Sequence, residues 1–335
     1  MKPIASPFSD RTLDVQTRSE VLSFRKEDFE VVYHYYEDEG HEFTTDEIDS
    51  INLKQVYNLY REKHNLPFPE TIKAIRDKYQ LSAAKMAEVL GFGINVYRYY
   101  ENGEIPSQSN ARLIQLASEP EEFKKLVLLS GVFQGKDLDK VLSNIDTLQK
   151  EENKFCFKKE LINYILGVEN LLPNRFNGFT TPNLNKTIEV ICHIIKRLNP
   201  TKTGLNKLLF YADFTHYRHY GNAIMGLEYK AIEFGTVPLR YDSLYEFIAE
   251  KGYVERKSKE FPSGYFGEVY EVLKNDMFSL SSDELATLDM VCDSFKDKTA
   301  RDIVKINHEE LAWLQNQECH DKVDYKYAFM LKACQ

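Results

Sequence analysis

The stretch ETIKAIRDKYQLSAAKMAEVLGFGINVYRYYENGEIPSQSNARLIQL, residues 70–116, decides how this chain is read. Ser82 heads a helix, because a serine hydroxyl there accepts a bond from a first-turn backbone N–H that has no other partner. Ala87 is small where two helices must cross closely. Gly91 follows Leu90 as the residue that ends the helix. A further helix starts near Ile94 and closes at the Asn102-Gly103 turn. Two helices joined by a short glycine-containing turn form the motif that lays its later helix in the DNA major groove.

Leu81-Ser82, Ala87, Leu90-Gly91, Tyr100-Glu101-Asn102-Gly103 and Pro106 together resemble the Cro/repressor (XRE-like) helix-turn-helix family. The resemblance implies that Asn95, Arg98 and Tyr99 face base edges or nearby phosphates, and that Asn102 touches the DNA backbone. Ser82 and Lys85, at the start of the preceding helix, complete the DNA-facing set. The competing reading is a packed bundle that does not bind DNA, since Ile94 and Val96 stand where a glutamine-rich tip would read bases.

The remaining composition narrows the class. A length of 335 residues suits about two domains. A hydrophobic share of 43%, with 13% aromatic, is enough for packed cores and argues against global disorder. No apolar run approaches the roughly 20 residues a bilayer span needs. The start, MKPIASPFSDRTLDVQTRSE, lacks an apolar signal core. Five scattered cysteines (Cys156, Cys192, Cys292, Cys319, Cys334) without a C-x-x-C suit reduced thiols in a cytoplasm better than a disulfide scaffold or a zinc site. A cytoplasmic protein with no membrane partner is expected.

The formal net charge of −9 works against nucleic-acid binding, which draws on phosphate neutralisation by lysine and arginine. Within the helix-turn-helix, Lys73, Arg76, Lys78, Lys85, Arg98 and Arg112 are interspersed with Glu70, Asp77, Glu88, Glu101 and Glu104, so the segment is close to neutral. One such module should bind weakly, and specific binding calls for a homodimer on a two-part operator.

Ahead of this motif, the first residues to about Ser19 are polar and read as mobile. Phe29, Val31, Tyr33 and Tyr35 alternate as in a half-buried strand, Glu37-Asp38-Glu39-Gly40 supplies a turn, and His41-Glu42-Phe43 returns. Thr44 with Glu47 reads as a capping box for a helix through about His64. A hairpin and helix ahead of an XRE-like module look like the start of MqsA/YgiT-type antitoxins, which hold zinc there through two C-x-x-C pairs. No cysteine precedes Cys156, and His34 and His41 cannot supply four ligands, so no zinc and no other cofactor is expected. Packing by Tyr33, Tyr35, Tyr36 and Phe43 would stand in for the metal.

After Leu116, PEEFKKLVLLSGVF forms a helix, GKDLDKVLSNIDTLQKEENK a charged connector with helical character, and Phe155 to Asn170 another helix. LLPNRFNGFTTPNLN reads as an interdomain linker. Beyond it come a stripe of Leu184, Ile188, Ile191, Ile195 and Leu198, and a helix LNKLLFYADFTHYRHY stopped by Gly221. An extended segment broken at Gly226, Gly235 and Pro238 follows, then a helix led by Tyr241-Asp242-Ser243. A hairpin turning at Pro262-Ser263-Gly264, a capping box at Ser281 and Glu284, and TARDIVKINHEELAWLQ close the chain.

The order KLLFYAD, GNAIMGLEYKAIEFGTVP and TARDIVKINHEELAW is similar to the Panacea (SocA-like) antitoxin domain over roughly Thr187 to Gln315. It is carried by Lys207-Leu208-Leu209, Gly221, Gly226, Tyr229, Gly235-Thr236-Val237-Pro238, His308 and Trp313, with Thr236 departing from the family's proline. The resemblance implies a domain that neutralises a cognate protein toxin by direct binding, often beside an N-terminal module that represses its own operon. Ile224 to Arg240, with Gly226, Tyr229, Gly235, Pro238 and Tyr241, lies in or supports the toxin-facing surface, or else only builds the core.

Catalysis has one candidate set. Asp213, His216 and His219 share a helix and resemble a two-histidine, one-carboxylate metal set, but no nucleophile or further ligand accompanies them. Adjacent Cys192 and His193 point apart on a helix. The chain therefore reads as a non-enzymatic, mainly helical α+β protein. Its parts are a hairpin module (1–66), a helix-turn-helix (67–133), a helical connector (134–182) and a toxin-neutralising domain (183–335). The alternative is a transcription regulator whose C-terminal domain senses another ligand or partner.

Overall fold

The computed structural model describes residues 3–167, 171–260, 266–274 and 279–334, with side chains for all of these except 151–159. It is a mainly helical α+β fold with small antiparallel sheets. The chain divides into two compact units: residues 1–56 with 162–335, and residues 57–161. The hairpin module read as a separate N-terminal part thus belongs to the same unit as the C-terminal half.

Strands β1 (Ile4–Ala5) and β2 (Thr12–Leu13) pair, and β3 (Gln16–Phe24) runs antiparallel to β4 (Glu27–Asp38) in unbroken register from Gln16↔Tyr35 to Phe24↔Glu27. Strand β5 (His41–Phe43) continues on β4. The residues read as mobile therefore hold β1, β2 and the first four residues of β3. Arg25 and Lys26 both take positive φ (50° and 68°), the geometry of a two-residue hairpin turn. The β4 alternation holds only in part. Phe29 and Val31 are buried, but beyond them it is His34, Tyr36 and Asp38 that turn inward. Tyr33 and Tyr35 instead lie half-exposed beneath the Arg18 guanidinium, 5.4 and 4.6 Å from their ring centres. A twisted ribbon of this length is covered on opposite faces at its two ends.

Helix α1 (Asp46–His64) packs on that ribbon through amides. Asn52 exchanges two 2.9 Å bonds with the His34 backbone, and Gln55 bonds the Val32 N–H (3.1 Å) and carbonyl (2.9 Å). These side chains replace a missing neighbouring strand. The cap falls at Thr45, whose hydroxyl accepts from Ile48 N at 3.4 Å, one residue later than expected.

The second unit holds α2 (Pro69–Lys78), α3 (Ala83–Val89), α4 (Val96–Glu101), α5 (Gln108–Leu116), α6 (Pro120–Ser130) and most of α7 (Gly135–Leu166). Connector and following helix are thus one continuous helix. Ile72, Met86, Ala87, Tyr97, Ile114, Phe123 and Val127 form the core of this unit.

The first unit resumes with 171–183, the stretch read as a linker. It is folded into the core instead: Asn177 is fully buried, and a Cβ on Gly178 would come within 2.6 Å of Ala223 and 2.7 Å of the Tyr325 ring. Then come α8 (Leu184–Leu198), α9 (Lys202–Tyr220), the hairpin β6 (Tyr229–Ile232) and β7 (Gly235–Pro238), and α10 (Tyr241–Glu250). The hairpin β8 (Val254–Glu260) and β9 (Phe266–Val272), α11 (Ser282–Phe295), α12 (Ala300–His308), α13 (Leu311–Leu314) and a 3-10 turn Tyr325–Met330 complete it. The turn expected at Pro262-Ser263-Gly264 lies outside the described residues. Helix α9 is the axis of the unit, buried without interruption from Gly204 to Tyr217.

Candidate functional site

Because α9 is enclosed on all sides, its polar residues must find partners inside. Asp213 does so completely. Its carboxylate accepts from Ile224 N (2.9 Å), Met225 N (2.8 Å), the Tyr229 hydroxyl (3.0 Å) and the Tyr325 hydroxyl (3.1 Å). Burial pushes its pKa up to about 6, against the lowering pull of those four donors. Asp213 thereby ties the segment after α9, strand β6 and the terminal turn to one point. His216 and His219 are driven down to about 3 and about 4 by burial. With all its bonds spent on the fold, Asp213 is committed to architecture, and among the described residues no group of three or more ligating side chains comes together.

Beside this centre stands the β6–β7 hairpin. Its backbone joins Tyr229 to Pro238 and Ile232 to Gly235. Asn307 of α12 accepts from Thr236 N at 2.7 Å and donates to the Thr236 hydroxyl, also at 2.7 Å. Thr236, where a proline was expected, therefore adds a bond that proline could not make, and the turn is held by side chains. Trp313 donates to the Ile232 carbonyl (2.8 Å) and stacks on His308 with ring centres 3.9 Å apart. Gly235 has φ 101°, and a Cβ there would come within 2.8 Å of Lys207 Cε, so only glycine lets the lysine stem run past the strand. Lys207 is 1% exposed, and desolvation lowers its pKa to about 7.

Of the residues named for partner binding, Gly226, Tyr229, Gly235 and Pro238 are buried, and Tyr241 is half-buried at the start of α10. Tyr229 has no exposed surface and spends its hydroxyl on Asp213 and on the Leu209 carbonyl (3.0 Å). A partner could meet these residues only through the surface they support. What the hairpin does present outward is Glu233 and Phe234, the latter 60% exposed at the turn. Sequence reasoning missed Phe234 and Lys207; the only available sign was an aromatic residue inside a Glu-Phe-Gly turn.

In the second unit the DNA-facing candidates assemble on the outside. Ser82, Lys85, Asn95, Arg98, Tyr99 and Asn102 are all exposed, while Tyr97 and Tyr100 on the same short helix are buried. Tyr97 donates to the Ile72 carbonyl at 2.7 Å, anchoring α4 to α2, and Arg76 bonds Glu101 at 2.5 Å. Ser82 accepts from Lys85 N at 3.2 Å as the cap of α3. Lys85 pairs with Glu88, so part of the positive charge here is already answered within the module.

Residues 205–314 match the family described as antitoxin SocA-like, Panacea domain. The matched residues run from α9 through the β6–β7 hairpin to the end of α13, so they contain Asp213, Lys207, Asn307, His308 and Trp313. Compared with curated proteins and with solved structures, the chain has no match. Three of the four donors to Asp213 and the side-chain clamp on the hairpin thus lie inside the matched residues, whereas the fourth donor, Tyr325, lies beyond them. No helix among the described residues is long and apolar enough to cross a membrane.

Proposed function

We propose that this chain is an antitoxin: its C-terminal unit binds and neutralises a cognate protein toxin, and its helix-turn-helix binds operator DNA to repress its own expression. The match of residues 205–314 to the SocA-like Panacea domain carries this reading. The exposed set Ser82, Lys85, Asn95, Arg98, Tyr99 and Asn102 on an ordered helical bundle supports the second part. The near-neutral charge of that bundle favours a homodimer reading a two-part site. The β6–β7 turn is the assigned centre of the toxin-facing surface, with Gly226, Tyr229, Gly235, Pro238 and Tyr241 as its supports.

The test is co-expression with the product of the adjacent reading frame. That product alone should arrest growth, and growth should return when this chain is present, with a complex recoverable by affinity purification. Persistent arrest with no complex would reject the antitoxin reading.

A further inference from the structure

The most unusual group in the first unit is the ammonium of Lys207. Lysine is almost never enclosed without a partner, because stripping water from a charged amine is costly. Here the residue is 1% exposed, burial lowers its pKa, and no carboxylate among the described residues raises it. Its stem passes Gly235 of β7, with Asn307 and His308 of α12 alongside. Asn307 is spent on Thr236. His308 is itself driven toward the neutral form by burial, with Lys207 a smaller contribution and a hydrogen bond to the Glu233 backbone opposing both. Its Nε2 atom is sealed and has no bonding partner. Lys207 and the unbonded Nε2 of His308 thus lie beside the β6–β7 hairpin, whose turn carries the exposed Phe234.

We propose that Lys207 is a carboxylate-binding residue of the partner surface: an aspartate or glutamate side chain of the toxin enters beside the β6–β7 turn and pairs with Lys207 Nζ, while Phe234 packs against the adjoining toxin surface. This rests on the antitoxin reading above and adds to it the chemistry of the contact. A buried cation without its counter-ion in the free protein is completed by the partner, which makes the pair strong and selective for an acidic side chain at one position.

Two measurements decide it. The first uses the adjacent-frame product as the partner, with wild type, Lys207→Met and Phe234→Ala. Lys207→Met should melt no lower than wild type, since an apolar chain of similar length replaces an unpaired charge, yet bind about tenfold or more weakly. Phe234→Ala, at an exposed position, should remain folded and also bind more weakly. If Lys207→Met binds within about twofold of wild type, the Lys207 proposal fails while the antitoxin reading stands. The second needs no partner: the Lys207 Nζ resonance is titrated in about 0.1 M sodium acetate against equal sodium chloride. Acetate should raise the titration midpoint, because a bound carboxylate favours the charged amine. If wild type does not bind the adjacent product, the antitoxin reading falls. A midpoint unmoved by acetate then overturns the carboxylate site too, and a raised one leaves Lys207 as a site for a small carboxylate.

Discussion

Asp213 shows how one side chain can organise a whole region. Its two oxygens satisfy two backbone amides and two phenols that come from three different parts of the chain. Replacing it by alanine strips all four donors at once in a sealed interior, and should cost about 3 kcal/mol or more, read by denaturant unfolding. The pH dependence follows from its raised pKa. The folded protein holds this proton up to about pH 6, whereas the unfolded chain releases it near the ordinary value of 3.8. Between those two values the folded state binds more protons, so this group's contribution to stability falls as pH rises toward 6. In Asp213→Asn, which cannot ionise, that slope should vanish, and a stability curve for the variant parallel to wild type between pH 4 and 6 would contradict the assignment.

At the scale of the element, helix caps and strands differed sharply in how openly the chain announced them. The Ser281 and Glu284 box is present in both of its bonds, Ser281 N to Glu284 at 2.8 Å and Glu284 N to Ser281 at 3.2 Å. Ser281→Ala should lower stability by about 1 kcal/mol, measured by denaturant unfolding. Helix α8 was readable because its isoleucines recur at helical spacing, and α9 because Gly221 stops it. Strand β3 was not: QTRSEVLSF is largely polar, with exposed residues on one face, and strand character there comes from pairing with β4 rather than from its own pattern. LLPNRFNGFTTPNLN misled for the opposite reason, since asparagine, glycine and proline also build tight buried turns. The segment around Tyr229 read as extended, which left a partner surface and the core as alternatives because an extended run alone does not say what covers it; the structure buries Tyr229 completely. On α4, the exposed Arg98 and Tyr99 bear the proposed contact with DNA. Arg98→Ala combined with Tyr99→Ala should leave the melting temperature within about 1 °C, as surface changes usually do, while anisotropy with labelled upstream DNA reports weakened binding. Unchanged binding would remove α4 from the reading surface.

For the whole molecule, the division into two units sets what unfolds together. Residues 57–161 hold their own core, in which Tyr79 and Phe123 stack with ring centres 3.9 Å apart and Phe123 is fully buried. Phe123→Ala should cost about 3–5 kcal/mol in this unit. Calorimetry should then show one transition moved down and the other in place; a single shared transition shifting as one would mean the units unfold as one body.

The other unit is assembled from both sides of that insertion. His34 lies against Phe329 at 4.7 Å between ring centres, and Lys54 reaches the Tyr220 carbonyl and Asn222, across the intervening residues 57–161. Translation proceeds in one direction, so the ribosome delivers the β3–β4 ribbon before the helical insertion, and the ring that packs against His34 only after it. The early strands must therefore wait, partly uncovered, while the insertion acquires its own structure. Nascent chains arrested before Phe329 has emerged would display that uncovered ribbon to chaperones and proteases, which makes delivery of this ring a checkpoint for closure of the unit.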